Sequence, residues 1–286
     1  MPEGDTIHTL ARELGRELDG RPLAGLEVRN HGERPELVGE ALGPVAARGK
    51  HLLVPIGERV VLRVHLGMYG GWDRFSARRD WRRRTRGHEV VLRTSEVAFA
   101  CRKPQVAELV RAERLSTHPA LSRLGPDLLV SGVDWDRVLE RARARAGRRD
   151  QTRIRELLLD QTVACGIGNI FKNEALFAEG VHPDTDVASL DDRTLVALYR
   201  RAARLMRANV DAVPRVLTAL EQGPHRERAR RAAQGGDSST WVYGRTGRPC
   251  RRCGTAIRFA SEGGDDRVTW WCPSCQRRPR VLEQSR

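Results

Sequence analysis

Apolar residues recur at helical spacing near the start of the chain. They lie three or four positions apart at Ile7, Leu10, Ala11, Leu14 and Leu18. This spacing predicts an amphipathic helix over residues 6–19, with Asp5 as a suitable N-cap and Gly20 as a suitable stop. We therefore expect this helix to hold the first residues of the chain in a fixed position.

Short apolar runs broken by Gly and Pro follow between Leu26 and Cys101. They cover residues 45–47, 51–56, 60–64, 89–93 and 97–100. Several short strands at this spacing are typical of an antiparallel sandwich or barrel. Residues 78–86, between two of these runs, are rich in arginine and are predicted to form an exposed loop.

Helical spacing returns after a segment rich in Gly and Pro at residues 124–132, which we interpret as an interdomain hinge. The first helix opens at Asp134 and carries arginines on its distal face. Further helices are predicted over residues 153–161, 170–177 and 191–209. A polar stretch over residues 222–239 is predicted to be a loop.

Residues 162–169 form a Gly-containing turn between two of the predicted helices. Asn169 can cap the helix that follows, and its amide together with the N–H groups of the turn can hold a phosphate. A helix-turn-helix is the natural interpretation. An αα-hairpin without a ligand is the alternative for this segment alone.

Two turns in the β-rich region carry side chains suited to DNA. Lys50 follows Gly49 on a tight turn, where its ammonium could reach a phosphate, although a solvated lysine is the alternative. Met68 and Tyr69 lie between glycines in the loop of residues 65–70. Such a tip can enter a base stack from which a nucleotide has been extruded, or it can pack into the core.

Charge favours nucleic acid as the partner. The 286 residues include 51 Lys and Arg against 37 Asp and Glu, a formal net charge of +14. A high-GC genome could explain the excess of arginine over lysine, but not the net charge. No apolar run is long enough for a membrane span, and the start of the chain lacks a signal-peptide pattern. We expect a cytoplasmic protein that is nucleoid-associated when bound to DNA.

Four of the six cysteines have metal-ligand spacing. Cys250 and Cys253 form one C-x₂-C pair, and Cys272 and Cys275 form another, eighteen residues later. This predicts one structural Zn²⁺, since four thiolates leave no open position for water. The tip between the pairs presents Arg267, where it could grip a phosphate. Cys101 and Cys165 are predicted to be buried thiols outside this site.

The N-terminal dipeptide is the candidate catalytic pair. Removal of Met1 would leave Pro2 with a secondary α-amine, followed by the carboxylate of Glu3. Roughly a tenth of an ordinary α-amine is free base at pH 7, so it can attack a carbon such as C1′ of deoxyribose. The alternative is an ordinary frayed chain start.

These motifs together resemble the formamidopyrimidine-DNA glycosylase and endonuclease VIII family. The ordered set is Pro2-Glu3-Gly4, Arg48-Gly49-Lys50-His51, His65-Leu66-Gly67-Met68, Gly166-Ile167-Gly168-Asn169, Val242-Tyr243-Gly244-Arg245 and the four cysteines. The resemblance implies an α+β multidomain fold with DNA in the cleft between domains. It implies an N-terminal β-sandwich with flanking helices at residues 1–125, a helix-two-turn-helix domain at 126–235 and a zinc-finger β-hairpin at 236–286.

The resemblance also implies roles for individual residues. Pro2 would be the Schiff-base nucleophile and Glu3 the acid. Met68 would fill the void left by the flipped nucleotide, with Tyr69 beside it. The remaining expected phosphate or sugar contacts are Lys50, Asn169 and Arg267. The implied activity is that of a bifunctional DNA glycosylase and AP lyase in base excision repair, acting as a monomer on damaged double-stranded DNA.

One departure from the family pattern bears on the lesion. The oxidised-purine branch has a segment similar to Asp-Pro-Arg-Arg-Phe where this chain has residues 101–105, Cys-Arg-Lys-Pro-Gln. The missing phenylalanine, with Tyr69 beside Met68, favours the endonuclease VIII branch and oxidised pyrimidines. An oxidised-purine glycosylase remains the alternative. A further alternative is a zinc-ribbon protein that binds DNA without catalysis. The presence of Pro2, Glu3 and Lys50 argues against this alternative.

Overall fold

The computed structural model describes residues 2–29, 31–77, 81–148, 151–210, 240–261 and 267–277. The chain forms two compact units, residues 1–123 and 124–286. The division falls where the predicted hinge segment begins. The finer division into three domains stays a prediction. Within the described ranges, every helix is too short or too polar to cross a bilayer.

The first unit opens with helix α1, Gly4–Leu18. Its N-cap is Glu3, so the helix begins two residues earlier than predicted and Asp5 is not the cap. Asp5 lies instead in the first turn, where a carboxylate interacts favourably with the helix dipole. The apolar face predicted from the spacing is buried, including Ile7 and Leu14.

In the described part of the first unit, nine strands form two antiparallel sheets around a shared core with α1, which confirms the predicted sandwich. The five-stranded sheet has the order β2 (Gly32–Glu33), β1 (Gly25–Val28), β7 (Val90–Arg93), β8 (Val97–Arg102) and β6 (Gly71–Ser76). The four-stranded sheet has the order β3 (Ala46–Arg48), β4 (His51–Ile56), β5 (Val60–His65) and β9 (Val106–Arg111). The prediction missed β1, β2, β6 and β9, which are short or rich in charged residues.

The arginine-rich segment departs from its prediction as a loop. Trp81–Arg84 form a helical turn, α2, and Thr85 is buried. Residues 78–80 lie outside the described residues.

Four helices with a common core make up the described part of residues 124–210. They are α3 (Trp135–Ala146), α4 (Ile154–Leu157), α5 (Asn169–Ala178) and α6 (Asp192–Asn209). Helix α4 is shorter than predicted because Asp160 accepts from the backbone N–H of Thr162 at 2.9 Å, forming a turn that ends helical geometry. Asp134 and Asp191 cap α3 and α6 through hydrogen bonds of 2.9 Å and 2.6 Å.

The second unit ends in a small hairpin. Strands β10 (Arg258–Ala260) and β11 (Thr269–Trp271) pair antiparallel, as predicted for the cysteine-rich segment. The apolar cluster beneath them is small, and its members are Phe177, Trp241, Val242, Cys250, Ile257 and Cys272. The predicted loop over residues 222–239 and the hairpin tip at 263–266 lie outside the described residues.

Candidate catalytic, DNA-contact and metal-binding residues

The start of the chain is packed against the first unit. Glu3 is 0% exposed and both Gly4 and Asp5 are buried, while Pro2 is half-buried. The backbone carbonyl of Glu3 accepts from Ile7 N at 3.2 Å, and its side chain makes no capping hydrogen bond to α1. This burial is not that of a frayed terminus. The structure therefore holds a carboxyl group rigidly in the residue after Pro2.

Lys50 lies on the predicted tight turn between β3 and β4. Gly49 adopts φ +58°, a left-handed conformation that favours glycine, and Arg48 and His51 are directly paired across the turn. Lys50 is half-buried. Burial and then the neighbouring Lys50 ammonium lower the pKa of His65. A cation and an imidazole thus share this end of the four-stranded sheet.

A buried polar network lies beside the Lys50 turn, and the sequence analysis did not identify it. Arg63, 4% exposed, donates to Glu108 through Nε at 2.6 Å and to Nδ1 of His51 through Nη1 at 2.8 Å. Nδ1 of His51 must accept, because a guanidinium has no acceptor atom. His118 Nε2 lies 3.1 Å from Glu108, and the rings of His51 and His65 are 4.8 Å apart. The network fixes His51 as neutral imidazole.

His51 should make stability depend on acidity. Burial, followed by the nearby charges of His65 and Arg63, lowers its folded-state pKa from 6.5 to about 3. Between those values the unfolded chain binds more protons, so the free energy of unfolding falls as pH falls, by up to about 1.4 kcal/mol per pH unit. Denaturant unfolding across this window should give a shallower fall for His51→Gln.

The matched control for His51→Gln is His31→Gln, at an exposed position of the same unit. The control should keep the wild-type slope of unfolding free energy against pH. An unchanged slope in His51→Gln would mean that another group carries the acid sensitivity.

The loop between β5 and β6 presents two apolar side chains to solvent. Met68 is 56% exposed and Tyr69 is 74% exposed, so the alternative that they pack into the core is wrong. Leu66, at the base of the loop, is buried, and its carbonyl accepts from Gly70 N at 3.0 Å. A Cβ on Gly70 would lie 2.3 Å from that carbonyl oxygen, so the closed turn requires glycine there. The tip is held on a tight base and projects outward.

The connection between β8 and β9 lies beside this loop and is only three residues long, 103–105. Gln105 N donates to the carbonyl of His65 at 2.9 Å, and a Cβ on Gly67 would lie 2.8 Å from Cβ of Gln105. Lys103 adopts φ +47°, consistent with a tight reversal. This short turn therefore packs against the base of the Met68 loop.

In the second unit, the structure brings Asn169 and Arg267 together. Asn169 is the first residue of α5, and Gly168 is the N-cap, so the predicted capping role of Asn169 is wrong. Its side-chain Nδ2 instead donates to the carbonyl of Val268 at 3.0 Å. Arg267, one residue earlier, is exposed. An arginine and the N-terminus of a ten-residue helix are therefore adjacent, an arrangement suited to an anion.

A run of buried polar side chains on α5 holds the hairpin, and sequence reasoning missed its role. Lys172 Nζ donates to Thr269 Oγ1 and Asn173 Oδ1 accepts from Trp270 N, both at 2.9 Å. The Glu174 carboxylate accepts the backbone N–H groups of residues 241, 242 and 243 at 2.8–3.0 Å. The sequence pattern that could have indicated these contacts is Lys-Asn-Glu inside an otherwise apolar helix. These bonds fix where Arg267 lies.

The four predicted cysteine ligands converge. Among the described residues, Cys250, Cys253, Cys272 and Cys275 place their Sγ atoms within 4.8 Å of one another, and the closer pairs are 3.5–3.9 Å apart. Tetrahedral Zn²⁺ with Zn–S bonds of about 2.3 Å requires about 3.8 Å. Backbone N–H groups of residues 252 and 275 point at Cys250 and Cys272 sulfurs at 3.4 Å and 3.5 Å. The donor set fits a structural metal.

Cys101 and Cys165 are both buried, as predicted. Burial raises the pKa of the Cys101 thiol to about 12. A thiol that stays protonated near neutral pH is a poor nucleophile and a poor metal ligand. Cys101 is therefore structural, and Cys165 is likewise enclosed in the core.

Comparison with known proteins supports each unit separately. Residues 1–107 match the model of the formamidopyrimidine-DNA glycosylase N-terminal domain, and residues 124–218 match that of the formamidopyrimidine-DNA glycosylase H2TH domain. A crystal structure of Lactococcus lactis Fpg with DNA containing an abasic site is similar in fold. Its TM-score is 0.77 at 21% identity, over 97% of this chain and 100% of that one.

Full-length relatives are more similar in sequence. The probable endonuclease 8 2 of Streptomyces coelicolor is 37% identical over 98% of this chain and 95% of its own. The DNA-(apurinic or apyrimidinic site) lyase Nei2 of Mycolicibacterium smegmatis is 34% identical over 96% of this chain and 99% of its own. The chain belongs to the formamidopyrimidine-DNA glycosylase and endonuclease VIII family of DNA glycosylases with AP lyase activity.

Proposed function

We propose that this protein excises oxidised bases, pyrimidines above all, from duplex DNA and cleaves the strand by β,δ-elimination through a Schiff base on Pro2. The observation that carries the proposal is the burial of Glu3 at the N-cap of α1, in the residue after Pro2. Helix α1 would hold the amine of Pro2 and the acid of Glu3 near one reacting centre. Such positioning contributes to catalysis.

The chemistry assigns one step to each residue. Glu3 protonates the ring oxygen of the sugar or the departing base, and the Pro2 nitrogen attacks C1′. The C1′–N bond to the base breaks, and the C1′–O4′ bond then breaks as the protonated ring oxygen leaves as a hydroxyl group. The iminium that forms at C1′ is already cationic because proline is a secondary amine. This iminium acts as the electron sink as C2′ loses a proton and the 3′ phosphate leaves, and then as C4′ loses a proton and the 5′ phosphate leaves. Hydrolysis finally frees Pro2.

Three residues are assigned to the DNA backbone. Lys50 projects from a tight turn in the first unit, while Asn169 and Arg267 are adjacent in the second. Each offers N–H donors to a phosphate, and such charge-assisted bonds contribute about 1.5–3 kcal/mol.

Met68 and Tyr69 are assigned to the space that the flipped nucleotide leaves. Extrusion costs a few kcal/mol, and a damaged base lowers that cost. The exposed side chains of Met68 and Tyr69 lie on a tight turn and can enter the base stack. Their contacts there would offset part of the free-energy cost of extrusion. Their exposure supports this role.

One Zn²⁺, held by Cys250, Cys253, Cys272 and Cys275, is assigned a structural role. Four thiolates would saturate a tetrahedral ion, so bound Zn²⁺ would stabilise the hairpin and would have no open position for water. The hairpin in turn carries Arg267 to α5.

We infer the lesion class from the loops next to Met68. The three-residue turn at 103–105 has no phenylalanine to occupy the helix gap, and Tyr69 offers a ring in its place. Relatives named endonuclease 8 support the same branch. A panel of duplexes, each with one lesion, tests this directly. We expect faster excision of thymine glycol and 5-hydroxycytosine than of 8-oxoguanine, and the opposite ranking would assign the protein to oxidised purines.

Glu3→Gln should separate base excision from strand cleavage. General acid catalysis contributes about 10²–10⁴ in rate, so base excision should fall by that factor. Cleavage at a preformed abasic site should persist in part, because no base then has to leave. Single-turnover assays on both substrates measure the difference. The acid role would be refuted by wild-type excision in this variant, and Asp5→Asn provides the control at the neighbouring buried carboxyl.

A further inference from the structure

Helix α6 carries a line of exposed arginines on one face. At about 100° per residue, Arg193, Arg200, Arg204 and Arg207 fall within about 60° of one another around the helix. All four are exposed. At 1.5 Å per residue, the line is about 21 Å long. We call these four residues the α6 stripe.

The stripe lies opposite the buried face of the same helix. That face includes Leu195, Leu198, Ala202 and Met206, which enter the common core with α5. The stripe is therefore directed away from α5 and from the site assigned to Asn169. It is not part of the lesion contacts already described.

Within the described residues the stripe makes no direct ion pair, and its acidic neighbour is Asp191, the N-cap of the same helix, with which Arg193 interacts electrostatically. The fifth arginine of α6, Arg201, lies off the line and pairs with Glu179 at 2.6 Å. The exposed carboxylate of Asp192 is occupied by Arg143 at 2.6 Å. In the described part of the chain, no ion pair forms with the four stripe residues.

Two stripe residues are held in place by contacts that leave donors available. The Arg200 guanidinium lies 5.3 Å from the ring centroid of Trp135, and stacking on a ring leaves its N–H edges free to bind phosphate. Arg207 donates one hydrogen bond to the carbonyl of Val130 at 3.0 Å. A stripe partly ordered before binding loses less side-chain entropy on binding.

Length and charge together fit a nucleic-acid backbone. Each strand of a duplex places one phosphate per 3.4 Å of axis, so about 21 Å runs along about six phosphates. A high arginine content alone explains arginines at these positions, but not that none of the four forms a direct ion pair with the described residues. The length and charge of the α6 stripe therefore match a linear, densely charged polyanion.

We propose that the α6 stripe is a second DNA-binding surface, which contacts the backbone of undamaged duplex DNA without reading its sequence. It goes beyond the proposed function, since it needs neither Pro2 nor a lesion. A second surface would let the protein hold a distant stretch of DNA, or another duplex, while the lesion site searches.

The test uses the full chain with Arg193, Arg200 and Arg204 changed to Gln, which keeps a high helix propensity. The matched control changes Arg21, Arg59 and Arg114 to Gln. These are exposed and lie at the end of the first unit far from Lys50, where α1 ends, β4 turns into β5 and β9 ends. Both variants lose the same charge. Affinity is measured against salt on long undamaged duplex, and on a short duplex with one abasic site.

On long undamaged DNA, the stripe variant should lower the slope of log affinity against log salt by up to about 2.7, which is about 0.9 for each lost phosphate contact. The control should lower it less. On the short abasic duplex, cleavage and borohydride trapping by the stripe variant should equal wild type. Loss of those activities would place the stripe in the lesion site and overturn the proposal.

Two other outcomes would also overturn it. Equal salt slopes for wild type and the stripe variant would show that these arginines do not touch DNA. If the variant kept its DNA slope but lost binding to polyglutamate, the surface would serve an acidic protein. Lysine at the same three positions should restore the slope, because lysine binds phosphate as a point charge. A block on Pro2 should leave the slope unchanged, which separates this proposal from the proposed function.

Discussion

Removing the metal is expected to abolish binding to abasic-site DNA. The apolar cluster under the hairpin has only six members, and β10 and β11 have three residues each, so the segment cannot bury a sufficient core without the ion. Once the cysteine ligands separate, Val268 and Arg267 lose their place beside Asn169. Two lost charge-assisted contacts predict at least about a 100-fold weaker affinity.

The experiment pairs chelation with Cys272→Ala, and uses Cys165→Ala as the control, since both residues are buried cysteines of the same unit. Zinc content, thermal unfolding and affinity for an abasic-site duplex are measured on each. The control should keep its zinc and its affinity. Full DNA binding by metal-free protein would mean that α5 alone holds the hairpin through Lys172, Asn173 and Glu174.

Blocking the α-nitrogen of Pro2 is expected to eliminate covalent trapping. A retained Met1 or an uncleaved tag converts the amine into an amide, which has no basic lone pair to attack C1′. With borohydride and an abasic-site duplex, the trapped fraction should fall from near completion to background. This change removes no side chain, so the burial of Glu3 and the fold of α1 should be kept.

Affinity for a non-reactive abasic analogue provides the control for that experiment. The blocked protein should bind the analogue within about tenfold of wild type, because its phosphate contacts are intact. Equal trapping by the blocked and unblocked proteins would exclude Pro2 as the nucleophile. Loss of trapping in both would leave a zinc-ribbon protein that binds DNA without cleaving it.

Local patterns were sufficient for much of the fold. The runs that became β4, β5, β7 and β8 are rich in β-branched residues, and α6 has a regular apolar face, so periodicity located them. Strand β6 contains Asp73 and Arg74, and this charged sequence has no alternation to detect. The cap of α1 was misplaced because both Glu3 and Asp5 can occupy such a position, and the helix begins directly after Glu3.

The candidate site was predictable where its residues are close in sequence. Cysteine spacing alone located the metal ligands, and glycine positions marked the turns at Lys50 and Met68. The network of Arg63, Glu108 and His51 could not be found this way. Arg63 and Glu108 are direct cross-strand partners in the β5–β9 register, and that register is set by tertiary pairing.

The same limit applies to α5. Glu174 binds backbone N–H groups 67 to 69 residues further along the chain, so its role depends on where the hairpin docks. In sequence it is one polar residue in an apolar helix. A buried polar run of this kind indicates unseen partners, without telling which they are.

Mass spectrometry of the borohydride-reduced complex tests the central claim most directly. After digestion of protein and DNA, the sugar remnant should be found on the N-terminal peptide, attached to the nitrogen of Pro2. Its attachment to the side chain of an internal lysine, such as Lys50, would contradict the mechanism proposed for this enzyme.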